Sequence, residues 1–444
     1  MANHAVSVAL GGLKEGRPAF HISDAYRRYV LILLLLVAIF NFVDRQIFAV
    51  LLESIKKDFS LTDTELGMLG GVAFAVFYSL CGIPIAWLAD RSNRRNIIAI
   101  ALCLWSAMTA ICGLTTGFVS LFLARVGVGI GEAGGTPPAN SIIADYFPPE
   151  RRATAMAVIG MSVPLGVLTG FLVGGWVNEF LGWRSAFMVV GLPGVALAIV
   201  LWFTLREPPR GFYEPEQAIG STPSILDTFR YLWQRPSCRH LCMAAALYGM
   251  SGWGAGIWQP SFFMRSHGMS SGEAGTWLAF VFGISGACGA MFGGMFGDRL
   301  VKKTQDARWY LWLSSGGILI AIPFVFLVYL WPTPIPALLF LSIPTFFGHM
   351  YLGPVMAMLL GIAGARRRAL ASSIYGFFVN LVAMGFGPLS VGMASDYLQP
   401  KLGSDSLRYA ILAVVVISTA WAALHFLLAT KSIRQDLAAV DQRG

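Results

Sequence analysis

Twelve stretches of about twenty mostly apolar residues follow one another along the chain, and this feature constrains its fold more than any other. A helix of this length matches the hydrocarbon thickness of a bilayer. Because lipid cannot hydrogen-bond to backbone groups, each stretch has to be helical, and the alternating ten-residue segments of a membrane β-barrel are absent. The predicted spans are 29–55, 66–88, 96–115, 118–145, 152–176, 184–205, 239–264, 274–297, 309–330, 336–361, 369–395 and 407–430.

Composition fits a chain whose main solvent is lipid rather than water. Hydrophobic residues make up 56% of the sequence and charged residues 12%, whereas charged residues make up about 25% of a soluble domain. The six cysteines show neither paired-thiol nor zinc spacing, so we expect buried thiols and no metal or disulfide. No cofactor is predicted, because GIGEAG at 129–134 fits the dinucleotide-binding expression only inside a span with no preceding strand.

Basic residues indicate which way the chain crosses the membrane. With both termini in the cytoplasm, 24 Lys and Arg residues lie on the cytoplasmic side, 6 lie outside and 2 lie within spans. An excess of positive charge on one side sets the orientation of membrane proteins, and here it explains the net charge of +9 without a nucleic-acid partner. We therefore predict a multi-pass monomer of the inner (plasma) membrane with both termini cytoplasmic.

The sequence divides into two halves joined by a polar linker. We predict a cytoplasmic lead at 1–28, a six-helix bundle at 29–205, a cytoplasmic linker at 206–238, a second six-helix bundle at 239–430 and a cytoplasmic tail at 431–444. In the linker, Thr222–Pro223 resembles a helix start. Ile225, Phe229 and Trp233 then share one face, which predicts a short helix on the membrane surface.

Three pairs of similar segments relate the two halves. GGMFGDRLVKK at 293–303 matches AWLADRSNRR at 86–95, ERRATA at 150–155 resembles RRRALA at 366–371, and Arg184 and Arg408 each open the last span of a half. An internal repeat in a chain with many spans is typical of a transporter with its site between the repeats. The sequence thus predicts an all-α membrane protein of twelve transmembrane helices in two pseudo-symmetric six-helix bundles.

These motifs resemble those of the major facilitator superfamily over the whole chain. The superfamily pattern Gly-x-x-x-Asp-Arg-x-Gly-x-basic-basic is approached after the second and eighth spans, and RVGVG at 125–129 is similar to its arginine–glycine motif. A narrower likeness is to the Spinster branch, in NFVDRQ at 41–46, LADRSNRR at 88–95 and ARVGVGIGEAG at 124–134. The resemblance implies the major facilitator fold, gradient-linked movement of lysosphingolipids or lysophospholipids, and functional positions at Asp44, Arg125 and Glu132.

Four formally charged side chains lie within the predicted spans away from their ends: Asp44, Arg45, Arg125 and Glu132. Each costs about 2.5–3.5 kcal/mol at mid-bilayer unless it is paired or hydrated. At about 1.5 Å per residue, Arg125 lies ~10 Å, Asp44 ~16 Å and Glu132 ~21 Å below the outer ends of their spans. We therefore expect them to meet if the first and fourth helices are neighbours.

Two interpretations of this cluster stay open. In one, it is a fixed neutral cluster that locks the first helix to the fourth. In the other, which we favour, Asp44 and Glu132 load and release protons as the site alternates between wet and closed. Arg125 would then bind the anionic head of a substrate, or pair with Asp44 and Glu132 when the site is empty. Arg45 would either anchor packing or contact the substrate.

A cytoplasmic latch is predicted after the second span. Asp90 would face the positive N-terminal end of the eleventh helix near Leu370, while an arginine of the loop pairs with Asp145, and both contacts would form only when the cytoplasmic side is closed. The alternative is that these basic loops only reflect topology. The predicted latch residues are Asp90, Arg91, Arg94, Arg95, Asp145, Asp298 and Arg299.

The second half offers neutral polar and aromatic candidates for substrate contact. His349 is the only histidine central to a span and lies near the depth equivalent to Glu132, with a packing role as the alternative. Trp253, Tyr375 and Asn380 would line a cavity for an acyl chain, although such residues also pack against lipid.

Together with the resemblance, these features predict a proton-coupled secondary transporter that moves an amphipathic anion by alternating access. Protons and membrane lipids are the other expected partners, and a small organic anion, a sugar or a drug is the alternative substrate. We do not predict an enzyme, because no nucleophile–base pair or set of metal ligands lies near the membrane interface, and no P-loop is present for ATP hydrolysis.

Overall fold

The computed structural model describes residues 22–89, 91–213, 224–364 and 367–441, and this part of the chain is almost entirely helical, without strands. Short turns or π-helical segments interrupt several of the long helices. The helices are α1 Asp24–Phe59, α2 Asp63–Ala89, α3 Arg94–Cys112, α4 Phe118–Tyr146, α5 Pro149–Thr204, α6 Ile225–Trp233, α7 Pro236–His267, α8 Ser271–Thr304, α9 Arg308–Leu330, α10 Pro334–Ala363, α11 368–402, α12 Ser406–Ala429 and α13 Ile433–Asp441.

Nine helical stretches in the described ranges are long and apolar enough to cross a membrane. Two of the nine, Pro149–Thr204 and Leu370–Ala429, have 56 and 60 residues. A straight helix of that size would be roughly 85–90 Å long, almost three times the ~30 Å hydrocarbon core. The backbone leaves helical geometry inside each of them, at Gly182 with φ +81° and at Gly403 with φ +54°.

The helix α7 is not among the nine, because serines, glycines and basic residues dilute its apolar side chains. Gly182 separates the predicted fifth and sixth spans, and Gly403 separates the predicted eleventh and twelfth. The membrane-spanning, all-helical fold is therefore confirmed, whereas the number of twelve spans stays a prediction.

The helices run between two ends of the bundle. The linker end contains residues 22–28, 89–94, 146–149, 205–236, 304–308, 363–368 and 430–441, in so far as they are described. The distal end contains residues 59–63, 112–118, 181–183, 267–271, 330–334 and 402–406. At the linker end, the Tyr26 hydroxyl donates a hydrogen bond to the Thr204 carbonyl, 2.7 Å, and Arg235 donates to the Asp436 carbonyl, 2.9 Å.

Glycines bring α5 unusually close to α1. Gly166, Gly170 and Gly174 are spaced by four residues and so lie on one face of α5. A Cβ atom at Gly170 would lie 2.8 Å from the Cβ of Gln46, and one at Gly174 would lie 2.9 Å from Cγ1 of Ile47. This contact fixes the position of α1, which carries half of the charged cluster.

The two halves of the molecule join at the distal end. The hydrogen bonds and ion pairs identified between the halves in the described ranges all lie there, as do the closest backbone contacts. A Cβ atom at Gly67 of α2, for example, would lie 2.7 Å from the Pro388 carbonyl oxygen of α11. The molecule is therefore closed at the distal end.

A short helix is present in the linker, as the sequence predicts. The helix α6 begins after Ser224, whose hydroxyl accepts a hydrogen bond from the Asp227 backbone, 3.0 Å. The predicted start at Thr222–Pro223 lies outside the described residues. Ile225 and Trp233 are about half exposed, whereas Phe229 stacks on Phe378 of α11. Its position on the membrane surface stays a prediction.

Candidate functional site

The helices α1 and α4 run antiparallel and in matching register. The Asn41 amide of α1 donates to Glu132 Oε2 of α4, 3.0 Å, and the Arg125 guanidinium of α4 lies 4.5 Å from the ring centre of Phe48. Asn41 and Phe48 are seven residues apart, as are Arg125 and Glu132. Two turns of one helix therefore match two turns of the other, and Asp44 lies between the two contacts.

Arg45 is the ionic partner of Glu132. Its Nε donates to Glu132 Oε2 at 2.8 Å, and the Glu132 side chain is fully buried while that of Arg45 is 10% exposed. The Arg45 guanidinium also lies 5.2 Å from the Phe74 ring centre and 4.9 Å from that of Tyr78. Arg45 thus packs against aromatic rings and pairs with Glu132, and its contact with a substrate stays a prediction.

Arg125 does not pair with Asp44 or Glu132, which corrects the sequence-based expectation for an empty site. Its guanidinium lies between the Phe48 and Phe74 rings, the latter 5.4 Å away, and it forms no ion pair within the described part of the chain. Asn41 and Arg45 both donate to Oε2 of Glu132, and its Oε1 has no hydrogen-bond partner among the described residues. The Nε of Arg125 is buried without a hydrogen-bond partner, so this cation keeps donors for a ligand.

Asp44 is the most isolated member of the cluster. It is 1% exposed, and neither carboxylate oxygen has a hydrogen-bond partner among the described residues. Thr109 of α3 lies beside it, but the Thr109 hydroxyl is also buried without a hydrogen bond. The charged groups around Asp44 are Glu132, Arg125 and Arg45. The structure therefore brings the four predicted intramembrane charges into one buried cluster.

The candidates of the second half do not contact this cluster within the described residues. The His349 Nδ1 donates to the Thr345 carbonyl, 2.8 Å, and its ring faces Gly286 of α8. Trp253, Tyr375 and Asn380 are half-buried, and Asn380 begins a π-helical segment of α11. A role for these four side chains in binding stays a prediction.

Three of the latch candidates meet at the linker end. Arg94 is buried and forms ion pairs with Asp145 and, at 2.7 Å, with Glu207 of the linker. The Glu207 carboxylate also accepts from the Arg95 backbone, 2.8 Å. All these residues belong to the first half or to its end of the linker, and the contacts form while the hydrogen bonds and ion pairs identified between the halves in the described ranges lie at the distal end. The Arg94–Asp145 pair therefore does not require closure of the linker end, which corrects that expectation.

The other latch candidates make local contacts or lie outside the described residues. Arg91 lies 4.2 Å from the ring centre of its neighbour Trp87. Asp298 accepts a hydrogen bond from the Tyr310 hydroxyl of α9, 2.6 Å, and Arg299 is exposed. Asp90 lies outside the described residues. A latch between the halves stays a prediction.

A network at the distal end was not predicted from the sequence. Arg265 of α7 donates to both oxygens of Asp63, 2.7 and 2.8 Å, and to Glu53 of α1, 2.8 Å. Ser395 of α11 donates to Asp63 at 2.6 Å. Asp63 also pairs with Lys56. The available signal was Thr62-Asp63-Thr64-Glu65, a capping box that places Asp63 in the first turn of α2.

A second part of the network uses the start of α2 as a set of donors. The backbone amides of Asp63 and Thr64 donate to the Asp396 carboxylate of α11 at 3.0 and 2.7 Å. A carboxylate is favourable at a helix N-terminus, because unpaired amides and the helix dipole both stabilise it. The distal network therefore joins α1 and α2 of the first half to α7 and α11 of the second.

Comparison with known proteins identifies the family. The Major Facilitator Superfamily model matches residues 34–388. The chain is 34% identical over 408 residues to an "MFS-type efflux pump" of Mycolicibacterium smegmatis, covering 91% of this chain and 92% of that protein. It is 27% identical to a "D-galactonate transporter" of Escherichia coli O6:H1, covering 92% and 97% respectively.

A solved structure has the same fold over nearly the whole length. It is described as a bacterial homolog to the human lysosomal transporter Spinster in an inward-facing and unoccupied conformation. The TM-score is 0.85 at 34% sequence identity, covering 94% of this chain and 99% of that one. The chain therefore belongs to the Major Facilitator Superfamily and resembles its Spinster branch.

Proposed function

We propose that this transporter couples proton movement to the passage of an amphipathic anion, of the lysosphingolipid or lysophospholipid type, by alternating access. Family membership supports the coarser statement that the chain is a multi-pass membrane transporter. The single observation that carries the proposal is Asp44, a buried carboxylate without a hydrogen-bond partner in the described ranges, beside two arginines and a second carboxylate.

The environment of Asp44 supports a proton-carrying role. A carboxylate that is ionised, buried and without a hydrogen bond costs several kcal/mol relative to water. A bound proton removes that cost when the site is dry, whereas water would stabilise the ionised form when the site is open. Beside Asp44, Arg45 and Glu132 form an ion pair at 2.8 Å in this structure.

Arg125 supports an anionic substrate. Its guanidinium rests between two aromatic faces and has no ionic partner among the described residues, so its planar set of donors can receive a carboxylate or a phosphate. The first half thus supplies charge, and half-buried Trp253, Tyr375 and Asn380 of the second half supply a less polar surface. An anion with an apolar tail suits this division.

A small organic anion is the second candidate substrate. Arg125 recognises the anionic group in either case, and the relative named as a D-galactonate transporter aligns over almost the whole chain. The two candidates differ in the apolar part of the substrate. A competition experiment between a lysophospholipid and galactonate therefore separates them.

Alternating access fits the way the halves meet. The halves join at the distal end, and the solved relative of the same fold is described as inward-facing. We propose twelve spans with both termini cytoplasmic, so that the linker end faces the cytoplasm. The charged cluster, which is buried in this structure, would reach the cytoplasm through the linker end, and the outside only after the distal network separates.

Proteoliposomes with an imposed pH gradient test the proposal. We expect Asp44→Asn and Glu132→Gln to keep substrate binding but to lower gradient-driven uptake about tenfold or more, the effect of about 1.4 kcal/mol. Lysophospholipid and galactonate uptake are measured in parallel, and Glu150→Gln, an exposed acid at the linker end, serves as the control. Undiminished pH dependence in both cluster variants would refute proton coupling through this site.

A further inference from the structure

A basic pocket opens at the linker end, away from the charged cluster and the distal network. The first turn of α1 and the start of α5 line an open surface pocket of about 190 Å³, smaller than the ~300–1,000 Å³ of drug-sized sites. Its lining residues are Asp24, Arg27, Arg28, Phe147 and Arg151. Three guanidinium groups and one carboxylate give the pocket an excess of two positive charges.

The three arginines differ in how far they are already satisfied. Arg27 donates to Asp24 Oδ1 and to the Tyr213 hydroxyl, both at 2.9 Å. Arg28 uses only its Nε, in a 3.4 Å contact with the Asp24 carbonyl, and Arg151 reaches Asp24 only at 3.8 Å with its side chain 65% exposed. Within the described residues, the terminal nitrogens of Arg28 and Arg151 are therefore free to bind an anion.

The pocket continues into an apolar surface. Arg28, Ile32 and Leu36 are spaced by four residues, so they follow one another along the same face of α1. Ile32 is 56% exposed and Leu36 is 39% exposed. A charged group next to an exposed apolar stripe at the start of a spanning helix matches the boundary between headgroups and acyl chains.

Backbone electrostatics add to the attraction for an anion. The pocket lies at the N-terminus of α1, a 36-residue helix, where unpaired amides and the helix dipole favour negative charge. The Ser23 side chain caps this terminus by accepting from the Tyr26 amide, 3.2 Å. Among the described residues, no side chain is found accepting from the Asp24 or Ala25 amide, and the arginines supply most of the charge.

We propose that this pocket binds a phosphoryl group, carried by the head of an anionic phospholipid or by a free phosphate. Arg28 and Arg151 form hydrogen bonds to its oxygens, with Arg27 held in place by Asp24 and Tyr213. When the phosphoryl group belongs to a lipid, Ile32 and Leu36 contact its acyl chains. The bound lipid fastens α1 to the start of α5 at the membrane surface, apart from the transport site.

The test uses the full-length protein in nanodiscs of phosphatidylcholine with or without phosphatidylglycerol, and in detergent with inorganic phosphate. Bound lipid is counted by native mass spectrometry and thermal stability is followed in parallel. We expect Arg28→Gln and Arg151→Gln each to weaken phosphatidylglycerol binding about fivefold, the effect of one basic residue near an anionic surface. Arg230→Gln and Arg299→Gln, which are exposed at the same end, are the matched controls.

Each outcome supports or overturns the proposal. A lipid headgroup is supported if the protein prefers phosphatidylglycerol, the pocket variants lose this preference, and inorganic phosphate does not stabilise the protein. Stabilisation by inorganic phosphate that the same variants lose supports a free phosphate. If the double variant Arg28→Gln/Arg151→Gln binds both probes as the controls do, the site does not exist. Arg28→Lys keeps the positive charge and should therefore retain binding. Loss of binding in Arg28→Lys as well would indicate that substitution at this position disturbs folding.

Discussion

At the residue scale, Glu132 has the most constrained position in the charged cluster. It accepts hydrogen bonds from Asn41 and Arg45 through Oε2, whereas Oε1 is buried without a partner in the described chain. Asp44, one residue before Arg45, has no partner within hydrogen-bond geometry among the described residues, although Thr109 lies beside it. The two carboxylates therefore differ: Glu132 orients Arg45 through Oε2 and keeps only Oε1 for a proton, whereas both oxygens of Asp44 are available.

Removing Arg45 tests whether Glu132 is held as an anion. We expect Arg45→Gln to lower the free energy of unfolding by about 3–5 kcal/mol, because it leaves a buried charge without its partner. The double variant Arg45→Gln/Glu132→Gln should recover much of that loss, since no unpaired charge remains. Denaturant unfolding in detergent measures both.

The exposed Arg299→Gln is the control for that comparison and should change stability by less than about 0.5 kcal/mol. A double variant as unstable as the single one would contradict the ionic role of the pair. In that case Arg45 would stabilise the fold by packing against Phe74 and Tyr78 and not by its charge.

At the element scale, three of the helices that pack across the halves contain π-helical segments. These are Met68–Val72 in α2, Val281–Ser285 in α8 and Asn380–Phe386 in α11. Gly71 of the first segment packs so closely on the third that a Cβ atom would lie 2.5 Å from the Gly385 carbonyl oxygen. Such segments interrupt the regular hydrogen-bond ladder and are frequent at functional sites. We therefore expect α2 and α11 to bend at these segments when the distal end opens.

The helix α13 is a separate element that docks on the second half through ionic contacts. Arg434 donates to Asp306 Oδ2 at 2.7 Å, and the Ser237 backbone donates to Asp436 at 3.0 Å. Hydrogen bonds from Arg308 first, and from Arg434, hold the pKa of the Asp306 carboxyl below its usual value. The docked tail is thus stabilised by an ionised Asp306.

The pH dependence of tail docking follows from this lowered pKa. The stabilisation of the docked tail by ionised Asp306 is present above the ordinary pKa of Asp, about 3.9, and is lost as the pH falls below that pKa. We attach a fluorophore to Gln435→Cys in a cysteine-free background and measure its anisotropy. We expect high anisotropy at neutral pH, from a docked tail, and a fall in anisotropy only below about pH 4, when the tail is released. Asp306→Asn should be loose already at neutral pH. Acid release that persists unchanged in Asp306→Asn would place the titrating group elsewhere.

At the scale of the whole molecule, the distal network decides which end of the transporter is closed. Arg265 joins Glu53 and Asp63, and Asp63 in turn accepts from Ser395, so that one cluster spans both halves. At the linker end, the Arg94 and Asp306 clusters each stay within one half and its own end of the linker. Ionic contacts thus join the two halves at the distal end, whereas at the linker end these clusters stabilise each half separately.

Loss of Arg265 should open the distal end. We expect Arg265→Gln to shift the population toward a distal-open state severalfold, within the ~1–3 kcal/mol range of conformational coupling energies. Spin labels at the exposed positions Lys57 and Lys401 report the distance between the halves. The control is Arg408→Gln, which breaks a distal ion pair with Asp405 inside the second half. Equal distance distributions in the two variants would show that Arg265 does not hold the halves together.

The sequence alone determined the solvent of this protein, its helical fold and the members of its charged cluster. Lipid allows few backbone structures, so apolar runs of one length predict helices without further information. Charges inside such runs are costly, so the hydropathy pattern by itself singles out Asp44, Arg45, Arg125 and Glu132. The seven-residue spacing of Arg125 and Glu132 also predicted their shared face of α4.

Only the tertiary structure decided which charged side chains pair with one another. Whether Glu132 binds Arg45 or Arg125 depends on the rotation and register of α1 against α4, which glycines of α5 help to set and which hydropathy does not report. The distal network joins residues 202 and 332 positions apart, and the basic pocket needs two distant segments side by side. Ion pairs act over a few ångströms, so they follow from how the helices pack, and sequence spacing alone leaves that packing open.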